Sequence, residues 1–244
     1  MISATCNAED LMPQKSKPVE SIDVQKIINY STKSSLEFTR RGMYYEEKKE
    51  FQNALGDYTR ALELTPNRSE LLIRRSICYK ELEQYELAIK DLTEVLSMRP
   101  YRAEVYSMRG KIYTTTEKYE LALWDFDKAV ELNPLKPDFY IDRGDFYSKI
   151  EEKDYAKRDY DAAAELIAYN AKNYKMAKQW QLAIDEYSKA IARNPEKYEF
   201  KKLRQECIEA LEAEIKATEE AAAEAEAAKR KKKKGKLPKE ELQR

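Results

Sequence analysis

Residues 53–66 read NALGDYTRALELTP. LAIKDLTEVLSMRP at 87–100, LALWDFDKAVELNP at 121–134 and LAIDEYSKAIARNP at 182–195 follow the same template. Ala54, Ala88, Ala122 and Ala156 stand 34 residues apart, and Ala183 closes the series after a shorter interval of 27. A fixed period of this size marks a chain built by stacking one structural unit upon itself.

The rest of the period fills in around those alanines. With repeats counted from Ser35, Ser69, Ala103, Pro137 and Ala164, the eighth position is Gly42, Ser76, Gly110, Gly144 and Ala171. The eleventh is always tyrosine: Tyr45, Tyr79, Tyr113, Tyr147 and Tyr174. Four residues after the alanine come Tyr58, Leu92, Phe126, Tyr160 and Tyr187; three further on come Ala61, Val95, Ala129, Ala163 and Ala190. Spacings of three and four place these residues on one apolar stripe of a helix. The eighth residue and the alanine are expected to face each other, bringing two helices close. Pro66, Pro100, Pro134 and Pro195 stop the second helix of a pair. Ser34 with Glu37, and Asn67 with Glu70, read as capping boxes at helix starts. One helix pair cannot bury its stripe alone, whereas stacked neighbours can. The expected fold is all-α, a solenoid of antiparallel helix pairs with a long C-terminal helix.

Composition narrows the function classes. The chain has 244 residues, 42% of them apolar, and balances 45 basic against 45 acidic side chains, so no global field recruits nucleic acid or membrane. Histidine is absent, which removes imidazole bases and metal ligands. Cys6, Cys78 and Cys207 lie far apart with no CxxC spacing, and no glycine-rich phosphate loop occurs. Neither a metal nor a cofactor is expected, and the chain is read as non-catalytic. No apolar run is long enough to span a bilayer. A cytoplasmic location is expected. Export would follow if translation began upstream, because Cys6-Asn7-Ala8 before Glu9 is similar to a cleavage site.

Across residues 35–197 the pattern of small, aromatic and proline positions resembles the tetratricopeptide repeat family. The chain departs from that pattern where Phe38, Leu72, Tyr106 and Tyr140 replace an early tryptophan, and where arginine replaces the leucine before the glycine. The resemblance implies a protein-interaction scaffold whose first helices line a peptide-binding face. On this chain those positions are Thr39, Arg40, Met43, Ile73, Arg74, Ile77, Met108, Lys111, Ile141, Asp142 and Asp145. Methionine and isoleucine beside arginine suit a partner peptide with apolar and acidic side chains. The carboxylate clamp of the family's chaperone co-factors is missing: Thr39, Met43, Arg74, Glu104 and Met108 occupy its positions, or Ile73, Ile77, Met108, Asp138 and Asp142 one repeat later.

A second regularity is electrostatic. Arg41, Arg75, Arg109 and Arg143 recur with Asp57, Asp91, Asp125 and Asp159, and in the fifth repeat both change together, to Asn170 and Glu186. They are expected to pair across helices as a structural ladder along the stack.

The seven-residue shortening before the last copy is close to two helical turns. No proline or glycine lies between Gly144 and Pro195, so one helix over 154–177 is expected to fuse repeats four and five; a turn near Asn170 to Asn173 is the alternative. The resulting organisation is a tail over 1–20, a short helix over 21–33, and repeats over 35–68, 69–102 and 103–136. A shortened repeat over 137–163 and a fifth over 164–197 follow, then a capping and extended helix over 198–234 and a tail over 235–244. The capping stripe is Phe200, Leu203, Cys207, Leu211 and Ile215. The basic tract Lys229–Lys236 is read as a solvated tail complementing the helix dipole. Weak contact with nucleic acid or an anionic membrane is its alternative role.

Overall fold

The computed structural model describes residues 34–234, with side chains to residue 230. The segments 1–20, 21–33 and 235–244 therefore lie outside the described residues. Every regular element among the described residues is a helix. In chain order these are α1 (Ser35–Glu47), α2 (Phe51–Leu64), α3 (Ser69–Glu81), α4 (Tyr85–Met98), α5 (Ala103–Thr115), α6 (Tyr119–Leu132), α7 (Pro137–Lys149), α8 (Lys153–Met176), α9 (Trp180–Arg193) and α10 (Tyr198–Lys234). They gather into two compact units divided after Pro100. The first holds α1–α4 as two helix hairpins; the second holds α5–α10.

The turn inside each pair is one construction used five times. Lys49, Glu83, Glu117, Glu151 and Lys178 all take the left-handed conformation, with φ between 56° and 67°. Beyond each, an N–H returns to the carbonyl of the eleventh-position tyrosine: Glu50 to Tyr45 at 2.8 Å, Gln84 to Tyr79 at 2.8 Å, Lys118 to Tyr113 at 2.9 Å. Glu152 reaches Tyr147 and Gln179 reaches Tyr174, both at 2.9 Å. This closure satisfies helix-end carbonyls and normally recruits glycine at the left-handed position. Here lysine and glutamate hold it.

The turn between pairs is made differently. Thr65, Arg99, Asn133 and Asn194 end α2, α4, α6 and α9 with ψ between 75° and 83°. Each precedes a proline, whose ring drives the preceding residue out of the helical region. Ser34 caps α1, its hydroxyl accepting from the Leu36 N–H at 3.3 Å. The expected cap at Asn67 is corrected: Arg68 occupies the cap position without a side-chain bond, and Asn67 sits in the left-handed region at φ 63°. Asparagine tolerates that conformation, so it shapes the turn rather than starting the helix.

The eighth position lies against an aromatic ring of the second helix. A Cβ added to Gly42 would lie 2.7 Å from the Tyr58 ring, one on Gly110 3.0 Å from Phe126, and one on Gly144 2.8 Å from Tyr160. The nearest atoms to each of these glycines thus belong to the aromatic ring four residues after the alanine. In the second repeat the same two positions are Ser76 and the slimmer Leu92, both buried.

α8 runs uninterrupted from Lys153 to Met176, through Asn170 and Asn173. Its first half pairs with α7 and its second with α9. Ala164, Ile167, Ala171, Ala183 and Tyr187 form a core with Phe200 and Cys207 of α10, and Leu203 packs on its edge. Trp180 Nε1 donates to Glu214 at 2.6 Å, and Lys175 pairs with Glu206, fastening α10 further along. Ile215 does not share in this packing; it is 48% exposed.

Candidate functional site

In the first unit, α1 and α3 enclose a cleft of about 710 Å³ lined by Arg40, Met43, Tyr44, Glu46, Glu47 and Arg74. Three of the residues named from sequence, Arg40, Met43 and Arg74, meet there. They do so because positions six and nine recur on successive first helices, and spacings of three and four share a helix face. Met43 presents 42% of its surface. Arg74 is held from two sides, by Glu46 at 3.2 Å and Glu70 at 3.3 Å. Burial opposes its charge, but Glu46 and Tyr58 outweigh that and raise its pKa. The Tyr58 hydroxyl donates to Glu46 at 2.5 Å; burial, and then Glu46, push its ionisation well above the usual range. Arg40 forms no ion pair with another described residue. Thr39 donates to the Ser35 carbonyl at 2.7 Å, while Ile73 and Ile77 are half-buried and do not line the cleft.

Tyr44, Glu46 and Glu47 complete the lining, and sequence reading did not name them. Their signal was present: each is three to seven residues from Arg40 or Met43, within two turns of the same helix.

The candidates in the second unit are differently employed. Lys111 pairs with Asp142 at 2.7 Å, and Asp142 also accepts from the Ser107 hydroxyl. Asp145 accepts from the Tyr160 hydroxyl at 2.7 Å. Ile141 packs against the α8–α10 core, and Met108 is half-buried. Most of this acidic and apolar set is thus satisfied within its own unit.

The arginine–aspartate sets are bidentate pairs, each bridging the two helices of one hairpin. Nε and Nη2 of Arg41 reach Asp57 at 2.7 and 2.6 Å; those of Arg75 reach Asp91 at 2.7 and 2.8 Å. Arg109 holds Asp125 at 2.9 and 2.8 Å, and Arg143 holds Asp159 at 2.8 Å twice. Arg143 extends further, to Asp127 of α6 at 2.7 Å, and so ties two neighbouring pairs together. Hydrogen bonds to the partner carboxylates hold Arg41, Arg75 and Arg143 above the usual guanidinium range. Burial pushes the Asp125 carboxyl up, and Arg109 pulls it only partway back. The arginines also lie over aromatic rings, Arg41 over Phe38 at 5.5 Å and Arg143 over Tyr140 at 5.9 Å. That is one reason an aromatic serves where the family pattern has tryptophan. In the fifth pair Glu186 binds Lys189 instead, at 2.5 Å.

No cluster of acidic or cysteine side chains among the described residues is arranged to hold a metal. Cys78 and Cys207 are buried, and burial pushes the Cys78 thiol up to about 12, far from nucleophilic use. No helix of the described residues is long and apolar enough to cross a membrane. At the end of α10, Arg230 pairs with Glu226 one turn earlier at 2.6 Å.

Paired helices, glycine-to-ring contacts and repeated turns define an all-α helix-pair solenoid. The tetratricopeptide repeat family model matches residues 38–68, 69–102 and 103–134, three consecutive repeats. The structure of MamA from residue 41 onward, from Desulfovibrio magneticus RS-1, superposes with a TM-score of 0.52 at 22% identity, covering 55% of this chain and 75% of that one. A double mutant of MamA from RS-1 gives 0.51 at 23%, covering 54% and 74%. At these identities the likeness is one of fold. No curated protein matches the chain. Tetratricopeptide repeats are protein-interaction modules and generally non-catalytic, and the three matched repeats support a protein–protein interaction scaffold.

Proposed function

We propose that the scaffold captures a peptide segment of a partner protein in the cleft between α1 and α3. The observation that carries this reading is the exposed Met43 lining one cleft together with Arg40 and Arg74. An apolar side chain of the peptide rests on Met43 and Tyr44, since thioethers adapt to varied shapes. A carboxylate of the peptide meets Arg40, whose guanidinium has no described partner to give up. Arg74 adds positive potential while staying fixed by Glu46 and Glu70.

Affinity capture with the full chain, compared with the Arg40→Glu, Met43→Asp double variant, tests the reading. Both side chains are exposed, so the variant keeps its fold and its circular dichroism. The expected result is loss of the partners that the unaltered chain retains at moderate salt. Equal capture by both proteins would place binding elsewhere. Binding carried instead by the basic tract Lys229–Lys236 would fall steeply as salt rises and survive the double variant.

A further inference from the structure

Four lining residues of the α1–α3 cleft, Arg40, Met43, Tyr44 and Glu47, lie on one stripe of α1. Steps of three, four and seven residues bring a helix back to nearly the same face. The stripe begins with a cation, Arg40, and ends with an anion, Glu47, the last residue of the helix. Seven residues of helical rise, about 10 Å, separate the two charges. The exposed Met43 and the half-buried Tyr44 lie between them.

The other charged groups of the cleft are occupied. Glu46 accepts from the Tyr58 hydroxyl at 2.5 Å and pairs with Arg74 at 3.2 Å, and Arg74 also holds Glu70 at 3.3 Å. Arg40 and Glu47 are both exposed, and neither forms an ion pair with a described residue. Lys48, which follows Glu47, lies over the Tyr44 ring at 5.8 Å and is not part of the lining. The cleft therefore offers a ligand one available charge of each sign, with apolar surface in the middle.

We infer, resting on the reading of this cleft as the peptide site, that the captured segment carries charges of both signs. An acidic side chain meets Arg40, a basic one meets Glu47, and an apolar side chain between them covers Met43 and Tyr44. An extended chain advances about 3.3 Å per residue, so the two charges stand about three or four residues apart in the partner. Attraction at both ends fixes the register of the segment, and a like charge at either end is repelled. A uniformly acidic segment, which Arg40 and Arg74 alone would favour, is thus rejected at Glu47.

Panning a random peptide display library on the full chain tests this. Enriched peptides are expected to carry an acidic and a basic residue about three or four positions apart, with an apolar residue between. One of them, labelled with a fluorophore and titrated by anisotropy, should lose at least about tenfold in affinity for Arg40→Glu, and likewise for Glu47→Lys. Both side chains are exposed, so the variants keep their fold. Reversing the acidic residue of the peptide to lysine should restore binding to Arg40→Glu. Reversing its basic residue to glutamate should restore binding to Glu47→Lys, a rescue that a misfolded variant cannot show. Enriched peptides without the charge pair, affinity unchanged by Glu47→Lys, or reversal without rescue would overturn the proposal. If those peptides still fail to bind the Arg40→Glu, Met43→Asp variant, the cleft stands as the peptide site and only the charge pairing falls. No enrichment, or equal binding to that double variant, would overturn both.

Discussion

Asp125 is wholly buried and is held by Arg109 through two hydrogen bonds, Nε to Oδ2 at 2.9 Å and Nη2 to Oδ1 at 2.8 Å. A carboxylate enclosed this far costs several kcal/mol to desolvate, and only the fork geometry of the guanidinium offsets it. Removing either partner strands the other. Arg109→Met and Asp125→Asn should each cost about 3–5 kcal/mol, while the double variant costs well under the sum. Denaturant unfolding of the four proteins checks this, and additive losses would show that the two side chains do not act as a unit.

Gly42 and Gly56 both sit in helices, yet their environments are opposite. A Cβ at Gly42 meets the buried Tyr58 ring at 2.7 Å, whereas one at Gly56 meets nothing within 4 Å. Gly42→Ala should destabilise by about 1–3 kcal/mol through overpacking. Gly56→Ala should stabilise by about 0.5–1 kcal/mol, because alanine loses less backbone freedom on folding. Thermal melts moving in opposite directions are the expected outcome.

Glu117 holds a left-handed backbone, φ 58°, to close α5 into α6. A side chain there crowds the following carbonyl, a strain that glycine escapes. Glu117→Gly should raise stability by about 0.5–1 kcal/mol, and Glu117→Val should lower it by at least as much. Equal melting temperatures for the two would mean the turn relaxes out of that conformation.

The period was legible because its residues act locally. Proline fixes the backbone before it, and spacings of three and four define a buried stripe wherever they occur. Family, fold class and helix pairing follow from such rules. The facing of glycine and ring did not, since it depends on how far one helix slides along another. Nor did the use of Asp142 and Asp145, whose partners Lys111 and Tyr160 come from neighbouring helices. The left-handed turns carried no signal at all: lysine and glutamate are unremarkable letters, and only the geometry gives them that role. The seven-residue shortening before Ala183 was half-legible, as a missing interval without a view of the α9–α10 turn that lies over Tyr160.

The same interval yields a direct test of α8. Ala164 is fully buried at its midpoint, where the repeat would otherwise place a turn. Proline there removes the N–H that bonds four residues back and clashes with that carbonyl, costing about 3 kcal/mol or more. Ala164→Pro should therefore unfold the second unit well before the first, giving two separated transitions by circular dichroism. A single, little-shifted transition would mean the helix tolerates a break there.

Tyr187 offers a prediction with a pH signature. Its ring fills the core between α8, α9 and α10, but its hydroxyl is enclosed and bonded to no described group. An unsatisfied buried hydroxyl is a net cost, so Tyr187→Phe should leave stability at neutral pH unchanged or raise it by about 1 kcal/mol. Burial pushes the Tyr187 phenol up to about 12. In the unfolded chain it ionises near 10, so between these values the native state binds the extra proton. Stability carried by Tyr187 is therefore fully present below about 10 and falls as pH rises toward 12. The phenylalanine variant lacks this loss. Unfolding curves at stepped alkaline pH should diverge above pH 10 in favour of Tyr187→Phe, after matching or nearly matching at neutral pH. Parallel decline of the two proteins would show that water reaches the phenol in the folded state.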